Sequence, residues 1–140
     1  MAERFCLITP DRPTLTRPHE KTMSNAVHDQ IETIESGYEY LLAYAAQGKD
    51  TDKTGGNAVS EVRGRLDAMA DAAKSIASRL EDDSSTFRWV IVDDARKAHA
   101  AISLVLEQNG ISSEMVDNLN ASIHLRALLT DLFLLSEAKS

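Results

Sequence analysis

From Val59 to Leu80 the apolar residues Val59, Val62, Leu66, Met69, Ala73, Ile76 and Leu80 recur at strict alternating intervals of three and four. That period matches one face of an α-helix, and a stripe this regular is the seam by which one helix packs on others in a left-handed bundle. Asn57 is placed to cap this helix at its start, with Glu61 in the first turn, where the helix dipole favours an anion. On the outer face, Glu61 with Arg65 and Arg63 with Asp67 are spaced four apart, as intrahelical ion pairs are.

The same period recurs on either side. Val27, Ile31, Ile34, Tyr38, Leu41 and Ala45 predict a helix from about Thr22 to Gln47, stopped by Gly48. Residues 48–57, GKDTDKTGGN, contain three glycines and no apolar side chain, which marks a solvated loop. After the polar stretch Asp82 to Ser85, Ile91, Ala95, Ala98, Ile102 and Val105 predict a third helix over about Thr86–Asn109, ended by Gly110. Ser112 or Ser113 can cap a fourth helix running to about Ala138. Mostly short connections between long helices make neighbours antiparallel. The expected fold is therefore all-α, an antiparallel up-down four-helix bundle over residues 21–140. Residues 1–20 hold all three prolines and are expected to form an extended or disordered arm.

The fourth helix departs from a single stripe. Val116, Leu119 and Ile123 define one face, but Leu125, Leu128, Leu129, Leu132, Phe133, Leu134 and Leu135 spread around nearly the whole circumference. A helix apolar all round needs cover on more than one side. A homodimer is the expected solution, with Leu125, Leu128, Leu129, Leu132, Phe133 and Leu135 in its interface.

Composition narrows the function classes. A net charge of −7 opposes attraction to phosphate backbones and anionic lipid, which rests on clustered Lys and Arg. Neither nucleic acid nor membrane is an expected partner. The single cysteine, Cys6, excludes an internal disulfide and a multi-thiolate metal site, and suits a reducing, cytoplasmic location. No run approaches the roughly 20 apolar residues that span a bilayer, and Phe5 to Ile8 is too short for a signal-peptide core.

Several residues are candidates for chemistry. His28, Glu32, Glu35 and Glu39 fall at offsets 0, 4, 7 and 11 on one helical strip, where carboxylates and an imidazole could contact a metal or small ligand. Ferritin-like di-iron sites need a Glu-x-x-His pair on two helices, and the sequence contains none, so a solvated acidic edge is the stronger expectation. Tyr38, Tyr40 and Tyr44 are concentrated on the first helix, and Tyr40 and Tyr44 share a face suited to a partner or ligand contact. Trp89 near the start of the third helix is expected to join them. His99 shares a heptad position with Val92 and Leu106 at the edge of the core stripe. Histidine phosphotransfer domains are four-helix bundles with a partly exposed histidine, but here Ile102 and Ser103 stand where that family carries lysine and glycine.

His124 and Asp131 are seven apart, and Asp93 and Asp94 precede Arg96 and Lys97 at intrahelical ion-pair spacing. Gly55-Gly56 lacks the Lys and Ser/Thr of a phosphate loop, and no nucleophile elbow or strand is present to carry a Ser-His-Asp triad. Gly37 and Gly64, inside helices at a cost of about 1 kcal/mol each, suggest close backbone approaches. With no catalytic, cofactor or metal site indicated, the sequence is read as a non-enzymatic, regulatory protein-binding module. The alternatives are a small-molecule or metal sensor using the bundle core, through His28, Glu32, Glu35 and His99, and a phosphotransfer module acting through His99.

Overall fold

The computed structural model describes residues 18–48, 56–82 and 85–139. These fold into five α-helices with no strand among the described residues: α1 (Pro18–Ala46), α2 (Gly56–Leu80), α3 (Thr86–Leu106), α4 (Ser113–Ala121) and α5 (His124–Lys139). Most of the expected arm, and with it Cys6, lies outside the described residues. Its boundary moves, because α1 begins at Pro18 rather than near Thr22. Proline is well suited to a first helical position, where its missing N–H would have had no intrahelical partner.

Helix α2 packs most extensively on α3, α1 on α2 and α4, and α3 on α5; the contacts of α1 with α5, α3 with α4 and α4 with α5 are smaller. The periodic residues form the shared core. Ile34, Leu41, Val62, Leu66, Met69, Ala73, Ile76, Ile91, Ala95, Ala98 and Ile102 are fully enclosed, and each of the larger ones contributes about 1.5–3 kcal/mol relative to exposure.

The helix ends differ from the sequence expectation in three places. Gly48 does stop α1, at φ 66°, where a residue without Cβ meets no steric cost. Gly110 does not stop α3, which ends at Leu106 with Glu107 as its C-cap. The physical stop is a side chain from another helix: Arg63 of α2 donates to the carbonyl oxygens of Leu106 at 3.0 Å, Gln108 at 2.5 Å and Asn109 at 3.0 Å. The last carbonyl of α3 and two carbonyls in the segment that follows it thereby gain a donor. Arg63 thus reaches across to α3 instead of pairing with Asp67, while Arg65 and Glu61 do approach, at 4.0 Å. At its start, α2 includes Asn57 within the helix, since it begins at Gly56.

The third difference is the largest. The expected fourth helix is two helices, because Ile123 adopts φ 66°, a left-handed conformation that breaks the ladder after Ser122, the C-cap of α4. A β-branched residue in this region is strained by roughly 1–2 kcal/mol. The break lets the two halves face different neighbours. Helix α4 buries Val116 and Leu119 chiefly against α1, while α5 buries Leu125, Leu128, Leu129 and Leu132 chiefly against α3. Ile123, expected in line with Val116 and Leu119, is instead half exposed.

This corrects the premise drawn from the C-terminal leucines. Leu125, Leu128, Leu129 and Leu132 belong to the core of a single subunit, with no more than 5% of any of them exposed, and Leu135 packs against that core. Of the large apolar side chains from Leu125 to Leu135, only Phe133 and Leu134 remain exposed. Turning at Ile123 offers the helix a second apolar surface within the same chain, which a continuous straight helix lacks.

The two helical glycines also separate. A β-carbon on Gly37 would lie 2.6 Å from Met69 Cγ and closer still to Met69 Sδ, so α1 and α2 approach closely there and a larger residue would have to displace the buried Met69 side chain. Around Gly64 no atom lies within 4 Å of such a β-carbon, and no close approach explains it.

Candidate functional site

The tyrosines of α1 are structural at one end and interactive at the other. Tyr44 is buried, its hydroxyl donates to the Ile111 carbonyl oxygen at 2.7 Å, and its own carbonyl oxygen accepts from the Ser113 hydroxyl at 3.1 Å. This double link ties the end of α1 to the connection between α3 and α4. Ser112 caps α4, accepting from the Met115 N–H at 3.1 Å, which leaves the hydroxyl of its neighbour Ser113 for Tyr44. Tyr40 stacks on Tyr44 with ring centroids 6.1 Å apart, and the Arg65 guanidinium lies 4.8 Å from the Tyr40 ring centre. Burial first, and then the Glu61 carboxylate, raise the Tyr40 phenol above its ordinary pKa. The cation–π contact favours this edge of α1 and α2 by about 0.5–1 kcal/mol. Trp89 does not join the tyrosines; it stands exposed beside Glu81, Val92, Asp93 and Arg96.

Glu32, Glu35 and Glu39 do share a strip, lining a shallow depression with Ser36, and His28 Nε2 lies 3.4 Å from Glu32. His28 and Glu32 are both mostly solvent-exposed. No group of three or more His, Cys, Asp or Glu side chains converges as metal ligands do among the described residues. His99 is not brought to this strip. It is half-buried in a cleft of about 260 Å³ between α2 and α3, with Lys74, Ala77, Ser78, Glu81 and Arg96. The set His28, Glu32, Glu35 and His99 therefore does not form one site.

A larger cleft, of about 580 Å³, opens between the end of α1 and the start of α4, lined by Leu42, Ala45, Ala46, Gly48, Ser112, Ser113, Glu114, Asp117 and Asn120. Both amide atoms of Asn120 are enclosed there without a protein partner. Periodicity does not single out Asn120, because nothing in its spacing separates it from a solvated helix residue.

The charged residues of α3 are distributed differently from a row of intrahelical pairs. Lys97 pairs with Asp93 at 3.0 Å, but Arg96 reaches Glu81, just past the end of α2, at 3.4 Å. Asp94 instead meets Asp131 of α5, which Asp131's offset from His124 does not predict. Burial, then the hydrogen bond to Asp94 and its charge, raise Asp131 from 3.8 to about 7. Two carboxylates this close oppose each other's ionisation.

Among the described residues, Leu42, Trp89, Leu104, Ile123, Phe133 and Leu134 are large apolar side chains exposed to solvent. No described helix is long and apolar enough to cross a membrane. Comparison with family models, curated proteins and solved structures finds no match to this chain.

Proposed function

We propose that the protein is a non-enzymatic, regulatory interaction module: an antiparallel up-down bundle, with α4 and α5 together in the fourth place, that forms a homodimer and binds another protein in the cytoplasm. The observation that carries this reading is the exposure of the consecutive residues Phe133 and Leu134 on α5, while Leu125, Leu128, Leu129 and Leu132 of the same helix are buried. Exposed aromatic and aliphatic side chains of this size gain free energy when a partner covers them. The ring of contacts through α1, α2, α3 and the split α4–α5 pair supports the bundle arrangement. Tyr44, Ser113 and Arg63 spend their polar groups on main-chain atoms, which fits a scaffold better than a catalytic centre.

Light scattering across a concentration series tests the association. The wild type is expected to approach twice its subunit mass of 15.4 kDa, and Phe133→Glu with Leu134→Glu is expected to stay monomeric with unchanged helical content. A wild type that remains monomeric at high concentration removes the homodimer. A pull-down in which the double variant still captures the wild type's partners removes α5 as the binding surface.

A second reading has one specific observation in its favour. Lys74 and Arg96 stand in the cleft with the half-buried His99, and cations beside an imidazole would favour a phosphoryl group on it. Phosphotransfer through His99 predicts an acid-labile phosphate on incubation with a phosphoramidate donor, lost in His99→Ala. No labelling of the wild type refutes it.

A further inference from the structure

We propose that Asp94 and Asp131 form a proton-operated latch between α3 and α5, in which one shared proton holds the helices together and its departure to solvent loosens α5 about Ile123. The geometry begins with two acidic side chains meeting across a helix contact. Asp131 Oδ2 is enclosed and, with both carboxyls ionised, has no hydrogen-bond donor. An acceptor buried without a donor is costly, and a like charge beside it adds repulsion. A proton on either carboxyl converts the same contact into an O–H···O hydrogen bond, so the arrangement is favoured while the pair holds a proton and opposed when both carboxyls are ionised.

The surroundings supply no substitute cation to Asp131. Asp94 is the only ionisable group among the described residues that acts on it; none from α1 or α4, the other helices packed on α5, does so. On α3, Lys97 feels the charge of Asp94 but is held by Asp93, and Arg96 is turned to Glu81. Along α5 itself, His124, Arg126 and Glu137 contribute nothing to Asp131.

The backbone allows the response. Only Ser122 and Ile123 join α4 to α5, Ile123 is at φ 66°, and the contact between the two helices is slight. Release of Asp131 from Asp94 therefore acts on α5 without carrying α4 with it. Loosening α5 would uncover Leu125, Leu128, Leu129 and Leu132, an apolar face far larger than Phe133 and Leu134 provide alone. The midpoint of the device falls near physiological pH, since burial and then Asp94 raise the Asp131 carboxyl to about 7. The latch does not depend on the homodimer, and its test reads α5 directly.

Hydrogen exchange of the full-length protein at pH 5.5 and pH 8, corrected for intrinsic rates, measures it. Protection of the α5 amides relative to those of α2 is expected to fall about tenfold in the wild type as pH rises, since protons taken up by the closed form favour it at low pH. In Asp131→Asn, whose amide can donate to Asp94 at either pH, the ratio should not change. Asp94→Asn, a second variant should the first fail to fold, should raise α5 protection at pH 8 and shrink the dependence. An α5-to-α2 ratio that is the same at both pH values in the wild type overturns the latch. So does a pH dependence that persists undiminished in a folded variant.

Discussion

Replacing Arg63 with alanine should destabilise the protein by more than any other exposed or half-buried substitution on α2. The guanidinium serves three carbonyl oxygens, two of them through the same nitrogen, Nη2, so it counts as about two charge-assisted bonds, each worth about 1.5–3 kcal/mol when made in full. These carbonyls are only partly enclosed and regain water when the side chain is lost, which brings the expected cost to about 2 kcal/mol, including a few tenths for the positive charge at the C-terminal end of α3. In urea unfolding monitored by circular dichroism, that corresponds to a midpoint roughly 1 M lower with an unchanged slope. Arg63→Lys should recover less than half of the loss, because a single ammonium cannot span the last turn and the following residues together. The control is Asp67→Ala. If Arg63 worked as an ion pair with Asp67, removing either partner would cost the same few tenths of a kcal/mol. A cost for Arg63→Ala below about 0.5 kcal/mol, matched by Asp67→Ala, refutes the capping argument.

The two helical glycines should respond in opposite directions: Gly64→Ala, with open space around it, should stabilise by about 1 kcal/mol, whereas Gly37→Ala, crowded by buried Met69, should destabilise by about 1–3 kcal/mol. Equal shifts in thermal midpoint would contradict the crossing described for α1 and α2. Ile123→Gly should raise stability by about 1 kcal/mol through relief of the left-handed strain, and a lower midpoint would show that the residue's packing outweighs its backbone. Asp131, with its folded pKa above the unfolded value of 3.8, contributes stability that is fully present below about pH 4 and lost as pH rises to about 7. The carboxyl is partly solvated, so the loss is discounted to about 1–2 kcal/mol. It is measured as the pH dependence that the wild type shows in denaturant unfolding and Asp131→Asn does not.

Much of the helical content was legible in the sequence because local chemistry writes it there. Strict three-four spacing from Val62 to Leu80 forces one buried stripe, and the buried row Ile91, Ala95, Ala98, Ile102 and Val105 follows from the same period. Gly48 and Ser112 announced a helix end and a helix start because a positive φ and an N-cap each favour particular residue types. The site was less legible. The strip from Glu32 to Glu39 was readable from offsets, and His99 at the edge of the core stripe was also readable, but their separation depends on which helices face one another.

The tertiary structure alone decided the rest. Ile123 carries no turn signal, and its left-handed conformation survives because the packing of α4 on α1 and α5 on α3 outweighs a local strain of roughly 1–2 kcal/mol. That turn determined where the C-terminal leucines are buried, and periodicity within one segment cannot foresee it. Arg63 at the end of α3, 43–46 residues away in sequence, and Asp94 against Asp131 are long-range pairs of the same kind. Spacing along a helix fixes which side chains share a face, whereas the partner that face meets is set only when the helices assemble.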